Sequence, residues 1–144
     1  LGLKDAHTAE ADSKTKNPVI HIMPNQQKYL QNKQYGGTIR LGAWKCRIVP
    51  RTLLHRIYGK RIVSERHRHR YELNNQYRRI LEKNGMKLCG LSSDKALVEA
   101  VELDQKRHPF FLGVQFHPEL KSRPLTPHPI FREFMRNVTS RNKL

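Results

Sequence analysis

Cysteine is nearly absent from this chain of 144 residues: Cys46 and Cys89 are the two present, and neither has a partner at C-x-x-C spacing. That excludes a zinc ribbon and a dithiol redox motif, and leaves two small strand or core residues suited to a reducing compartment. Long apolar runs are missing too. The longest candidate, Phe110 to Phe116, is interrupted by Gly113 and Gln115, far short of the 18 or more residues of a membrane helix. No leader pattern, no internal repeat and no Walker-type phosphate loop occurs. Acidic residues are scarce: 12 Asp and Glu stand against 28 Lys and Arg, a formal net charge of +16. Such an excess turns attention to nucleic acid, anionic surfaces or phosphate-bearing ligands. The basic residues run from Lys4 to Lys143 without gathering in one tail or face, so charge alone leaves the partner open.

The length fits one domain with one modest core, burying roughly 70% of the surface of the unfolded chain. A start at Leu1 rather than Met, followed by Lys4, Asp5, Ala6 and His7, leads us to expect a piece of something longer. Residues 1–17 are polar and aperiodic and are expected to connect, with Asn17-Pro18 as their boundary. Val19 to Met23 reads as a short strand, and residues 24–35, rich in Gln, Asn and Lys, as an exposed loop. After Gly36-Gly37, Ile39 and Leu41 alternate with Thr38 and Arg40, and Cys46, Ile48 and Val49 continue a strand or hairpin with one wet face. Pro50 to Tyr58 carries Leu53, Leu54, Ile57 and Tyr58 at helical spacing and reads as a short helix stopped by Gly59; Asn75 to Asn84 reads as a second helix capped by Gly85. Met86–Leu91, Ala96–Leu103 and Phe110–Phe116 read as three successive antiparallel strands, the last covered on both faces. An amphipathic helix from Pro129 to Val138 closes the chain, with Ile130, Phe131, Phe134, Met135 and Val138 as its apolar stripe. The mixture is α/β.

Two segments carry candidate chemistry. In Gln115-Phe116-His117-Pro118-Glu119 an apolar strand ends on a histidine and a carboxylate two residues apart, on one face of an extended backbone. That is the base and the orienting group of a nucleophilic dyad or triad. No nucleophile on a sharp turn accompanies them, since Cys46 and Cys89 lie inside apparent strands. In Glu65-Arg66-His67-Arg68-His69-Arg70-Tyr71-Glu72 the arginines share one strand face and His67, His69 and Tyr71 the other. A guanidinium fork grips a carboxylate with two parallel hydrogen bonds, so one arginine is a carboxylate anchor or the run is a solvated basic strand. His67 and His69 could ligate a metal, but the sequence places no third ligand, and no metal is assigned.

These motifs together resemble a known family. Gln115-Phe116-His117-Pro118-Glu119 is similar to the His-Glu element of class I glutamine amidotransferases. With Gly36-Gly37-Thr38-Ile39-Arg40-Leu41-Gly42, the run from Glu65 to Asn75, and His117 to Pro124, the chain resembles the C-terminal part of the glutaminase domain of the CTP synthase family, from about Leu1 to about Met135. The resemblance implies part of a flavodoxin-like sheet with flanking helices, the N-terminal half of the domain lying upstream. It implies a parent that hydrolyses L-glutamine and uses the ammonia for ATP-dependent amination of UTP to CTP, with ATP, Mg2+ and the activator GTP serving the parent. His117 would be the base and Glu119 its orienting carboxylate. Arg70 would hold the glutamine α-carboxylate, and Glu10, in His7-Thr8-Ala9-Glu10-Ala11 where relatives commonly show Asn-Ser-Thr-Glu-Phe, would face its ammonium. The cysteine elbow is expected upstream of Leu1, leaving this piece inactive alone. A cytoplasmic homotetramer follows for the parent. A noncatalytic scaffold and a basic nucleic-acid-binding module are the alternatives; against the latter, the aromatics do not interleave with the basic residues as a stacking platform requires.

Overall fold

The computed structural model describes residues 1–22 and 40–141. The loop expected over 24–35 and the glycines at 36 and 37 lie outside the described residues. Within them are two sheets. The smaller has the order β1-β2-β5, with β1 (Ala6–Thr8) parallel to β2 (Asn17–Ile22) and β2 antiparallel to β5 (Tyr71–Leu73). The segment expected merely to connect thus supplies a strand: Ala9 N–H donates to the Ile20 carbonyl at 2.8 Å and extends that pairing.

The larger sheet is antiparallel throughout, in the order β4-β3-β6-β7-β8: β3 is Arg40–Ile48, β4 Ile62–His69, β6 Met86–Ser92, β7 Val98–Leu103 and β8 Leu112–Val114. The three late strands pair in succession as their spacing predicts. The last is shorter than expected and lies at the sheet edge, half-buried; only Phe116 beyond it is driven into the core. β3 departs from its pattern as well. Leu41 is 58% exposed whereas Arg40 is 8% exposed, because the buried Glu99 on β7 gives Arg40 an ion partner at 2.5 Å.

Helix α1 (Leu53–Tyr58) begins where Thr52 Oγ1 accepts the His55 N–H and ends on Gly59 at φ 62°, a left-handed position that favours glycine. A 3-10 turn, Asn75–Tyr77, leads into α2 (Arg78–Lys83), so the expected single helix is two pieces. α3 (Pro129–Arg141) lies against α1. The core joins Cys46 and Ile48 of β3, Cys89 of β6, Ala100 of β7, Leu54 of α1, Phe116 and Ile130. Packing is tight at Gly90, where a Cβ would stand 2.9 Å from that of Ala100 and 3.0 Å from Cys46 Sγ. Of the stripe predicted on α3, Ile130 is buried, while Phe131, Phe134, Met135 and Val138 stay exposed among the described residues. No helix among the described residues is long and apolar enough to cross a membrane.

Candidate active site

The end of β8 is tied to its neighbours residue by residue. Gln115 N–H donates to the Glu99 carbonyl at 2.8 Å, Phe116 enters the core, and His117 N–H donates to the Arg66 carbonyl at 2.8 Å. Pro118 then ends the extended run and opens a 3-10 turn, Pro118–Lys121. His117 Nδ1 and Glu119 Oε1 meet at 2.7 Å. The sequence brings these two residues together, but for a different reason than strand alternation: His117 is extended at φ −107°, ψ 91°, and the turn carries the carboxylate back onto the ring. The carboxylate can only accept, so Nδ1 is the donor and Nε2 keeps its lone pair, the tautomer a general base requires. Glu119 is held below the ordinary carboxylate range: slight burial pushes it up, and its own backbone N–H and His117 outweigh that push.

What holds this turn is a residue the sequence did not single out as a hub. Glu65 of β4 is buried and accepts the Tyr58 hydroxyl of α1 at 2.9 Å, with His128 Nε2 at 3.3 Å and Lys121 Nζ at 3.4 Å. Lys121 also donates to the Ser64 carbonyl at 2.6 Å. One buried carboxylate thereby fastens the turn that bears Glu119, the head of α3 and the tail of α1 to one strand.

Arg66 and Arg68 point outward on β4 and are exposed, and Glu65 and His67 point inward, as alternation predicts. Arg70 does not continue the outward row, because the chain bends there, between the end of β4 and the start of β5, and passes from one sheet to the other. Glu10 is exposed in the turn after β1, its N–H donated to Thr8 Oγ1 at 3.3 Å. Thr8 is level with Ile20, and β2 pairs with β5 as Ile20 with Leu73 and Ile22 with Tyr71. β1 therefore delivers Glu10 towards the Tyr71 end of the small sheet, the end at which Arg70 sits.

Behind Arg70 lies a buried polar chain. His69 Nδ1–H donates to the Tyr71 carbonyl at 2.8 Å, His67 Nδ1–H donates to His69 Nε2 at 2.9 Å, and His67 Nδ1 lies 3.6 Å from Glu99 Oε2. Burial, and the Arg40 charge with it, pulls His67 down to about 3; burial likewise lowers His69, to about 4, against the Tyr71 hydrogen bond that raises it. Both rings are neutral at neutral pH. Glu99 supplies the third candidate ligand missing from the sequence, its oxygen and the two ring nitrogens lying within 4.8 Å of one another. The charge balance opposes a metal there: Arg40 already neutralises Glu99, and a dication would add two uncompensated charges to a buried site and break the bond between the rings.

Neither cysteine is exposed where it could meet a substrate. Cys46 and Cys89 are fully buried; desolvation, with the Glu99 charge second, pushes the Cys46 thiol up to about 12, and desolvation beside Glu102 raises Cys89 further. Concavities of about 300, 530 and 370 Å³ lie beside Glu102, Arg61 and Tyr77, and none of these three includes His117 or Glu119.

Comparison with known proteins adds to this geometry. Residues 13–137 match the family described as Glutamine amidotransferase class-I. The chain is 52% identical over 143 residues to the CTP synthase of Flavobacterium johnsoniae, covering 99% of this chain and 26% of that protein. It is 54% identical over 134 residues to the CTP synthase of Rubrobacter xylanophilus, covering 93% and 23%. It thus spans about a quarter of the length of the curated relatives it matches. Among solved structures, the Trypanosoma brucei CTPS glutaminase domain with bound acivicin superposes with a TM-score of 0.85 at 34% identity, over 96% of this chain and 52% of that one. The chain belongs to the class-I glutamine amidotransferase family, and the part of the CTP synthases that it matches is their glutaminase portion.

Proposed function

We propose that this chain is the His-Glu half of the glutaminase of a CTP synthase. The observation that carries the reading is the 2.7 Å contact of His117 Nδ1 with Glu119, which leaves Nε2 able to take a proton from a thiol. In this reading a cysteine thiolate contributed from upstream of Leu1 attacks the side-chain amide of L-glutamine. His117 holds and returns the proton, and Glu119 keeps the ring in the productive tautomer. Arg70 grips the substrate α-carboxylate through two parallel hydrogen bonds, and Glu10 faces its ammonium. The released ammonia aminates UTP to CTP in a synthetase domain that holds ATP and Mg2+, with GTP as activator. The parent works as a cytoplasmic homotetramer, and this chain by itself is inactive, since its own thiols are buried and protonated.

The test is to express the full-length protein that carries this chain and to assay glutamine hydrolysis and CTP formation beside a His117→Ala variant. Activity lost in the variant supports the reading. A protein without an upstream cysteine turn and without activity would be a noncatalytic amidotransferase scaffold, and activity indifferent to His117 would refute His117 as the base.

A further inference from the structure

Arg70 occupies the one position between β4 and β5, so neither strand's ladder includes it. The two residues flanking it are nevertheless locked together, because the His69 ring reaches across and donates Nδ1–H to the Tyr71 carbonyl at 2.8 Å. A carbonyl can only accept, so this bond sets the tautomer and leaves Nε2 to accept from His67 Nδ1 at 2.9 Å. His67, fully buried, backs onto Glu99 Oε2 at 3.6 Å, and Glu99 in turn is paired with Arg40. The His67 ring also meets Phe116 edge-on with centroids 6.1 Å apart, and Phe116 immediately precedes His117. One connected group of side chains from β3, β4 and β7 therefore stands behind the Arg70 bend and touches the residue next to the base.

We propose that His69 is a positioning residue for the Arg70 guanidinium, a staple across the bend backed by His67, Glu99 and Arg40, so that it governs capture of the substrate carboxylate rather than the chemical step. The proposal rests on the glutaminase reading above. A staple of this kind acts on how well a preformed fork is aimed, and displacing a binding group by about 1 Å can cost up to 10²-fold. The donated N–H does this work, so a side chain that offers an N–H from the same place can substitute. Asparagine Nδ2 stands about where histidine Nδ1 does; alanine has no donor.

The experiment measures glutamine hydrolysis by the full-length protein as wild type, His69→Ala, His69→Asn, His67→Gln and Arg70→Ala, with thermal melting of each. The expected pattern is a glutamine KM raised about tenfold in His69→Ala with kcat within about twofold, the signature of lost substrate binding. His69→Asn should return KM to within about threefold of wild type, and Arg70→Ala should raise it more than either. His69→Ala with unchanged KM, while Arg70→Ala raises it, overturns the proposal and leaves the glutaminase reading standing. Loss of kcat and melting temperature together in both His69 variants, with KM unmoved, overturns it as well and makes the cluster structural. Should His69→Ala fail to fold, His67→Gln reads the next link: a raised KM supports the staple, and an unchanged one refutes it. A wild type that does not hydrolyse glutamine overturns both readings at once.

Discussion

Replacing Glu65 by alanine should destabilise the protein more than any change at the exposed dyad. The carboxylate is 1% exposed and takes the Tyr58 hydroxyl at 2.9 Å, His128 at 3.3 Å and Lys121 at 3.4 Å. Lys121 is partly exposed and can turn to water, so its share is small. Tyr58 and the buried His128 keep each other, Oη and Nε2 lying 3.2 Å apart, so the pair loses one strong acceptor between them, and a buried polar group stripped of its partner costs about 1–3 kcal/mol. For a chain of this size that lowers the melting temperature by roughly 3–10 °C. Glu65→Gln keeps the shape and should fall between the two. The pH dependence adds a second readout. Burial pushes the Glu65 carboxyl up, but hydrogen bonds from His128 and Tyr58 and the Lys121 charge hold it below its ordinary value. An acid depressed in the folded state contributes stability above its unfolded value of about 4.3, and loses it as pH falls through the folded value. The melting gap between wild type and Glu65→Gln should therefore be full at neutral pH and close in the acid range. Scanning calorimetry across pH checks both parts. A Glu65→Ala loss under about 1 kcal/mol, or a gap that does not narrow in acid, would refute the hub.

Three further outcomes follow from the same packing. Glu102 is buried and accepts both the Leu53 N–H at 2.9 Å and the Leu54 N–H at 3.0 Å, so Glu102→Ala should cost about 1.5–3 kcal/mol per lost charged bond, read by urea unfolding. Gly90→Ala would push a methyl into the Ala100 side chain and Cys46 Sγ and should cost about 1–3 kcal/mol by the same assay; an unchanged midpoint would mean that β6 and β7 are not in contact there. Cys46 and Cys89 should resist a chromogenic disulfide reagent at mildly alkaline pH until urea unfolds the chain, and rapid labelling of the native protein would contradict their burial.

Much of the fold was legible because local signals carried it. Gly59 stops α1 as expected, although the helix starts at Leu53 behind a Thr52 cap rather than at Pro50, and three apolar runs parted by Ser92-Ser93-Asp94 and Asp104–Pro109 became consecutive antiparallel strands. The His117-Glu119 pairing was legible too, although the turn opened by Pro118, not the pleat, closes it. Less was visible where tertiary contact overrides pattern. Leu41 faces out and Arg40 in because Glu99, far along the chain, supplies a counter-charge. Arg70 leaves the arginine row because the chain changes sheets there.

By itself the sequence determined most of the strands and helices, the alternation that parts Arg66 and Arg68 from His67, the closeness of His117 and Glu119, and the family to which these motifs belong. Each is written in spacings of two to four residues that backbone geometry converts directly into shared faces and caps. Only the tertiary structure decided which buried carboxylate meets which donor: Glu65 with Tyr58 and His128, Glu99 with Arg40, Glu102 with the head of α1. Those partners come from different elements, and strand order and register, which no local spacing encodes, bring them together in a core where an unpaired charge cannot remain.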